Sequence, residues 1–156
     1  MPMNVDEDLV LRTAHRSEAP AMATLSRLHV EHGLNWRWTP KRIRQHIAAE
    51  DSVALVASVS GNLEGCAIMK YGDDTAHLYL LVVQPKARNK GIGRALLGWL
   101  ENSCRTACIR NVRLEFRATN STARRFYEAL GYRSISRVPQ YYDRRETAVV
   151  MVKSLD

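Results

Sequence analysis

Cysteine is scarce in this chain. Cys66, Cys104 and Cys108 are the only three, and an odd count without a secretion signal does not suit a disulfide framework. Cys104 and Cys108 are spaced to share a helix face, but two thiols alone do not make a zinc site. His29 and His32 stand three apart like a ligand pair, yet no neighbouring cysteine or carboxylate completes the set, so they read as surface histidines and no metal is expected. Long apolar runs are missing too. Nothing approaches the roughly 20 residues a membrane helix needs, and Met1 to Val10 is short and acidic, unlike a signal peptide. Both absences lead to the expectation of a cytoplasmic protein. Repeats, low-complexity tracts and linkers are also absent. With 156 residues, the chain is read as one domain over residues 1–156, large enough to bury a core unaided.

Negative charge is the minority. The formal net charge is +7 and the pI about 9.7, which predicts attraction to anions such as nucleic acid, an anionic membrane or a phosphorylated small molecule. No helix-turn-helix, zinc-finger or RNP signature supports nucleic acid. No G-x-x-x-x-G-K-[ST] loop is present, and no G-x-G-x-x-G. What is present is "QPKARNKGIGRALL", Gln84 to Leu97, where glycines and cations meet the start of an amphipathic helix. The first turn of a helix leaves N–H groups unpaired and carries partial positive charge. Gly91 and Gly93 let the backbone approach an anion, and Arg88, Lys90 and Arg94 add charge. The stretch reads either as a pyrophosphate cradle or as a tight strand-to-helix turn with solvated cations.

Periodicity and turn residues give the element order β-α-α-β-β-β-α-β-α-β-β, a mixed α/β (α+β) sheet of six to seven strands with helices on both faces. Strands are predicted at Leu9–Thr13, Ser52–Val59, Leu63–Tyr71, Ala76–Val83, Val112–Ala118, Tyr132–Val138 and Thr147–Val152. Ser17 is the expected cap of a first helix ending at Gly33, and Thr39 with Pro40 opens a second. A third helix runs from Gly93 to about Cys108, with both of its cysteines expected as buried small hydrophobes. Asn120 caps a fourth, stopped by Gly131. In "VRLEFRA", Val112, Leu114 and Phe116 share one face, and Arg113, Glu115 and Arg117 the other. Glu115 is then either a solvated carboxylate or one facing a cleft. Tyr127, on the buried face of the fourth helix, reads on its own as a core tyrosine.

"VVQPKARNKGIGRALL" resembles the acetyl-CoA-binding motif R/Q-x-x-G-x-G/A of the GNAT acetyltransferases, with Arg88, Gly91 and Gly93 at its fixed positions. The element order is similar to the GNAT fold. The resemblance implies acetyl-CoA as cosubstrate and no metal. Its diphosphate would lie on the loop Arg88, Asn89, Lys90, Gly91, Ile92, Gly93 and Arg94, and its pantetheine arm beside Leu81, Val82 and Val83. "LEFRATNSTARRFYEALGY" resembles the ribosomal-protein alanine and other N-terminal acetyltransferases of that family. This implies Glu115 as general base, Tyr127 as acid toward the leaving thiolate and Asn120 as a coenzyme contact. "VPQYYDRRETAVVMVKSL" resembles the ending of the same subgroup and implies that Tyr141 and Tyr142, on the loop between the last two strands, border a peptide N-terminus. Trp36, in the loop between the first two helices, is a further acceptor candidate. The resemblance covers Ala76 to Leu155, and the first 75 residues match in element order only. A peptide α-amine is the favoured acceptor. A small-molecule amine such as a polyamine, antibiotic or amino acid is the alternative, followed by a non-catalytic acetyl-CoA or nucleic-acid-binding module. An oligomer is compatible with the sequence.

Overall fold

The computed structural model describes residues 8–156; the acidic start of the chain lies largely outside them. Strands β1 (Leu9–Thr13), β2 (Ser52–Val59), β3 (Asn62–Tyr71), β4 (Thr75–Val83), β5 (Asn111–Arg117), β6 (Arg133–Tyr142) and β7 (Glu146–Ser154) alternate with helices α1 (Ala19–His29), α2 (Pro40–Ala48), α3 (Ile92–Thr106) and α4 (Ser121–Ala129). The strands form one sheet in the order β1-β2-β3-β4-β5-β7-β6. Every neighbouring pair is antiparallel except β4 with β5. A parallel pair needs a crossover connection, and α3 supplies it.

Each face of the sheet packs its own apolar layer. Leu55, Met69, Leu78, Val112, Leu114 and Met151 meet Leu96, Leu97 and Leu100 of α3 on one face. Val56, Cys66, Ile68, Leu80 and Val82 meet Met22 and Leu25 of α1 and Ile43 of α2 on the other. Fully burying one such side chain stabilises the fold by about 1.5–3 kcal/mol.

The event that positions the site happens in β4. Ile68 pairs with Leu80 but Met69 pairs with Leu78, so Tyr79 is an extra residue, a β-bulge. A bulge reverses the in-and-out parity of the strand beyond it. Ala76 and Leu78 accordingly pack on the α3 face, whereas Leu80 and Val82 pack on the α1 face. By its amino acids Ala76–Val83 is a nearly continuous apolar run, which reads as a strand buried on both faces; in the structure it alternates instead, and His77, Tyr79, Leu81 and Val83 are half-buried. The bulge also bends the strand. Pairing with β5 covers only Thr75–Leu78 against Asn111–Leu114; past that point β4 stays with β3 and β5 stays with β7. The two central strands part, and an opening forms between them.

Several local expectations are corrected. Ser17 is not a cap. Glu18 pairs with Arg12 at 2.6 and 2.8 Å and accepts from the His15 amide at 2.8 Å, which draws Arg16–Glu18 into a 3₁₀ turn and delays α1 to Ala19. That helix ends at His29, before Gly33. Cys104 is buried, but Cys108 lies beyond the end of α3, exposed and at φ 60°. The last two strands are longer than predicted, so Tyr141 and Tyr142 close β6 and the turn falls on Asp143–Arg145. Thr39 does cap α2, accepting from the Arg42 amide at 3.3 Å, an interaction of about 1 kcal/mol.

Candidate active site

The loop after β4 is shaped by its backbone. Gln84–Ala87 makes a 3₁₀ turn, with the Ala87 amide on the Gln84 carbonyl at 2.9 Å. Asn89 and Gly91 then take φ values of 62° and 84°, and the first bond of α3 runs from the Ala95 amide to the Gly91 carbonyl. The amides ahead of Ala95 have no carbonyl partner within the helix and carry its positive end. A Cβ added to Gly91 would meet nothing within 4 Å, so an anion has room to approach the backbone there. At Gly93 a Cβ would come within 3.2 Å of the Phe126 ring, which lets α3 sit close against α4.

The parted strands supply main-chain donors. The Gln84 amide donates to the Glu64 carbonyl of β3 at 2.8 Å. Backbone groups alternate sides along a strand, so the amides of Leu81 and Val83 point the other way, into the opening.

On β5 the cleft-facing alternative for Glu115 is the one realised. Its side chain is 8% exposed. Oε2 lies 2.5 Å from His77 Nε2, and Oε1 accepts from Arg113 Nε at 3.2 Å. Burial alone would raise the carboxyl; the His77 and Arg113 contacts outweigh it and hold the group below its ordinary range, so it is a carboxylate at neutral pH. His77 was missed in the sequence, where its signal is that of a lone titratable residue inside the apolar run of β4. The pairing of β4 with β5 brings it to Glu115, and no periodicity reveals that.

Asn120 Oδ1 accepts from the Ala123 amide at 3.0 Å and caps α4. The helix then delivers Tyr127 among aromatic rings, 5.9 Å from Phe116, 5.0 Å from Phe126 and 5.6 Å from Tyr132. Burial raises the Tyr127 hydroxyl well above its ordinary value, so it keeps its proton at neutral pH.

One cleft of about 1190 Å³ joins these groups. It brings together Leu81, Val82, Val83, Arg88, Asn89, Gly91, Ile92, Gly93, Arg94, Glu115, Asn120, Tyr127, Tyr141 and Tyr142. Lys90 and Trp36 are not brought to it. Trp36 stays on the surface with Arg27 stacked at 5.1 Å, and Trp38 of the same loop turns inward, only 8% exposed. The reason is Glu31, which folds under the loop and accepts from the Arg37 and Trp38 amides at 2.6 and 3.2 Å and from Ser26 Oγ at 2.8 Å.

The loop between α1 and α2 is latched to the β6–β7 hairpin. Asp143 accepts from the Asn35 amide at 2.7 Å and from Arg37 Nη2 at 3.0 Å, and Arg145 Nη2 donates to the Gly33 carbonyl at 3.1 Å. The Asn35 amide, with Arg37 and Arg145, holds the Asp143 carboxyl below its ordinary range. Tyr141 and Tyr142, their rings edge-to-face at 4.9 Å, end the strand beside this latch.

Residues 22–155 match the family model of the acetyltransferase (GNAT) domain. The chain is 37% identical over 99 residues to an uncharacterized N-acetyltransferase of Methanocaldococcus jannaschii, covering 63% of this chain and 64% of that one. It is 34% identical over 95 residues to the [ribosomal protein bS18]-alanine N-acetyltransferase of Escherichia coli K12, covering 59% and 64%. Both alignments stop short of two thirds of the relative's length. The crystal structure of the ribosomal-protein-S18-alanine N-acetyltransferase from Escherichia coli superposes with a TM-score of 0.81 at 25% identity, covering 95% of this chain and 94% of that one. A Salmonella typhimurium protein solved with its cofactor acetyl-CoA shares the fold at a TM-score of 0.79 and 22% identity, covering 96% of this chain and 95% of that one.

Proposed function

This chain belongs to the GNAT acetyltransferase family, and on that premise we propose that it transfers acetyl from acetyl-CoA to the α-amine of a peptide or protein. The observation that carries the reading is the opening between β4 and β5, with a buried carboxylate held by a half-buried histidine on one side, a protonated tyrosine on the other and inward main-chain amides between. The likeness to an alanine N-acetyltransferase supports the acceptor class.

The residues present fit the coenzyme. The amides at the start of α3, with Arg88 and Arg94, suit a diphosphate. The amides of Leu81 and Val83 suit an arm with amide character lying along β4, and Asn120 lines the same cleft. Bound there, acetyl-CoA supplies a thioester, an acyl group already activated toward an amine.

The rest of the chemistry falls to this chain. An α-amine has a pKa near 8 and is largely protonated at neutral pH. Glu115 takes that proton through water, and His77 at 2.5 Å holds the carboxylate in place. The freed nitrogen forms a bond to the acyl carbon. The Val83 amide donates to the acyl oxygen as negative charge builds there. As the carbon–sulfur bond breaks, Tyr127 gives its proton to the departing sulfur; the acylated nitrogen sheds its second proton, which passes through water to the Tyr127 oxygen, and Glu115 returns its own proton to solvent, so that amide and free thiol leave and both side chains are restored. No cysteine is needed. The buried Cys66 and Cys104 thiols are pushed up to about 12 and about 11, which suits the core rather than nucleophilic attack.

The test is thiol release from acetyl-CoA with a panel of peptides, polyamines, amino acids and aminoglycosides. Peptides with free N-termini are expected to be the acceptors. Release with small amines alone would overturn the reading.

A further inference from the structure

Among the described residues, Arg42 is a cation without a counter-charge on the proposed acceptor side of the cleft. Three arginines line that side: Arg37, Arg42 and Arg117. Arg37 is spent on Asp143 at 3.0 Å, and Arg117 on Glu146 at 3.4 Å and the Val30 carbonyl at 2.7 Å. Arg42 has no carboxylate partner among the described residues. Its guanidinium instead lies over the Trp38 ring, 3.9 Å from the centroid. Stacking of this kind fixes the plane of the group and leaves its in-plane N–H donors free, the arrangement that suits bidentate binding of a carboxylate. The platform is rigid, because Trp38 is buried and its amide is held by Glu31. Glu31 offers Arg42 little, since its oxygens are taken by Ser26 and two amides.

The position relative to the chemistry is set by a row of rings. Trp38 lies 6.0 Å from Tyr79, Tyr79 lies 4.5 Å from His77, and His77 meets Glu115. An extended peptide advances about 3.3 Å per residue. Side chains in its first few residues therefore reach along this wall when the amine is at Glu115.

We infer that Arg42 binds a carboxylate of the acceptor, so that the preferred substrates are peptides with an acidic side chain within their first three residues. The inference rests on the α-amine reading above and adds the acceptor's charge to it. It also gives the overall positive charge a specific point of use, since a general field would speed encounter without choosing among positions.

The experiment measures kcat/KM for free-N-terminus peptides in which aspartate or asparagine occupies position 1, 2 or 3, with wild type, Arg42→Gln and Arg42→Lys. At one of the three positions wild type is expected to favour aspartate by about tenfold or more, the size of a charge-assisted hydrogen-bond pair. In Arg42→Gln the aspartate-to-asparagine ratio is expected to fall to near one, and Arg42→Lys to restore only part of it. Should Arg42→Gln fail to fold, the wild-type ratio and the Arg42→Lys ratio still decide. Equal wild-type rates for aspartate and asparagine peptides at all three positions, or a preference that survives in Arg42→Gln, would overturn the inference and leave the α-amine reading standing. No acetylation of any free-N-terminus peptide, or acetylation of free aspartate and glutamate alone, would overturn both.

Discussion

The two walls of the cleft are assembled over very different distances along the chain. On one side, Gln84 to Arg94 contributes a turn, two left-handed residues and the mouth of α3 from a single short stretch. On the other, Asn35 and Arg37 are held by Asp143, partners 108 and 106 residues away. The first wall is a local motif whose geometry comes from where glycine, proline and cations stand. The second exists only once the sheet has formed and brought the β6–β7 hairpin over the α1–α2 loop. The contrast teaches which half can vary. On the proposed function, in which the first wall takes the coenzyme and the second the acceptor, a local motif is fixed by its own residues, whereas a latch between two distant loops can be rebuilt to admit a different acceptor without disturbing the first wall.

The largest expected effect lies between the walls. Glu115→Gln is expected to lower turnover by roughly 10²–10⁴-fold and leave acetyl-CoA affinity nearly unchanged, measured by steady-state kinetics and calorimetry. Loss of affinity equal to the loss of turnover would mean that the carboxylate serves binding and not proton removal.

Next comes the local wall. Gly91 sits at φ 84°, where a side chain costs about 1–2 kcal/mol. Gly91→Val is expected to weaken acetyl-CoA binding about tenfold or more while the acceptor KM stays as in wild type. A folded variant with wild-type affinity would remove the cradle from the account.

The distant wall should respond in the opposite way. Asp143→Ala is expected to raise the acceptor KM by roughly tenfold through misplacement of the groove, with acetyl-CoA affinity kept. If both substrates weaken together, the walls are not separable. The latch also carries a pH signature. The Asp143 carboxyl is held below its ordinary value of 3.8, so it contributes stability above that value and loses it as pH falls through the lowered one. The NMR signal of the Asn35 amide is expected to move with a midpoint below the ordinary carboxyl value of 3.8; a midpoint at or above that value contradicts the latch.

The smallest effect belongs to Arg88→Ala. Arg88 is an exposed side chain among several cations, and one such charge is worth about 1 kcal/mol or less. Acetyl-CoA affinity should fall by no more than about fivefold, and a larger loss would mean that charge and not the glycine backbone dominates the wall.

The same contrast explains what the amino acids disclosed by themselves. The polar face of β5 pointed Glu115 away from the core, and Asn120 and Gly131 marked the ends of α4, because each is a matter of neighbours in sequence. His77 could not be found that way, since its partner is set by the pairing of β4 with β5 across α3. Trp36 and Trp38 look alike in "NWRW", and only Glu31, folded beneath that loop, decides which of them turns inward. Ser17 lost the role of cap because Arg12 on β1 captures Glu18, whose carboxylate also takes the His15 amide and starts a 3₁₀ turn, so that α1 opens one residue later without a side-chain cap. In each case the deciding partner lies outside the pattern being read.

One measurement bears most directly on the proposed activity. Two peptides are offered with acetyl-CoA, one with a free N-terminus and no lysine, the other with a blocked N-terminus and a single lysine, and tandem mass spectrometry locates the acetyl group. An α-amine near pKa 8 gives up its proton far more readily than a lysine near 10.4, and Tyr141 and Tyr142 line the cleft, where on the proposed function they leave a long side chain little room. Acetylation of the first peptide at its α-nitrogen, with the second left unmodified, is the result this account predicts. Acetyl on the lysine of the blocked peptide would contradict it.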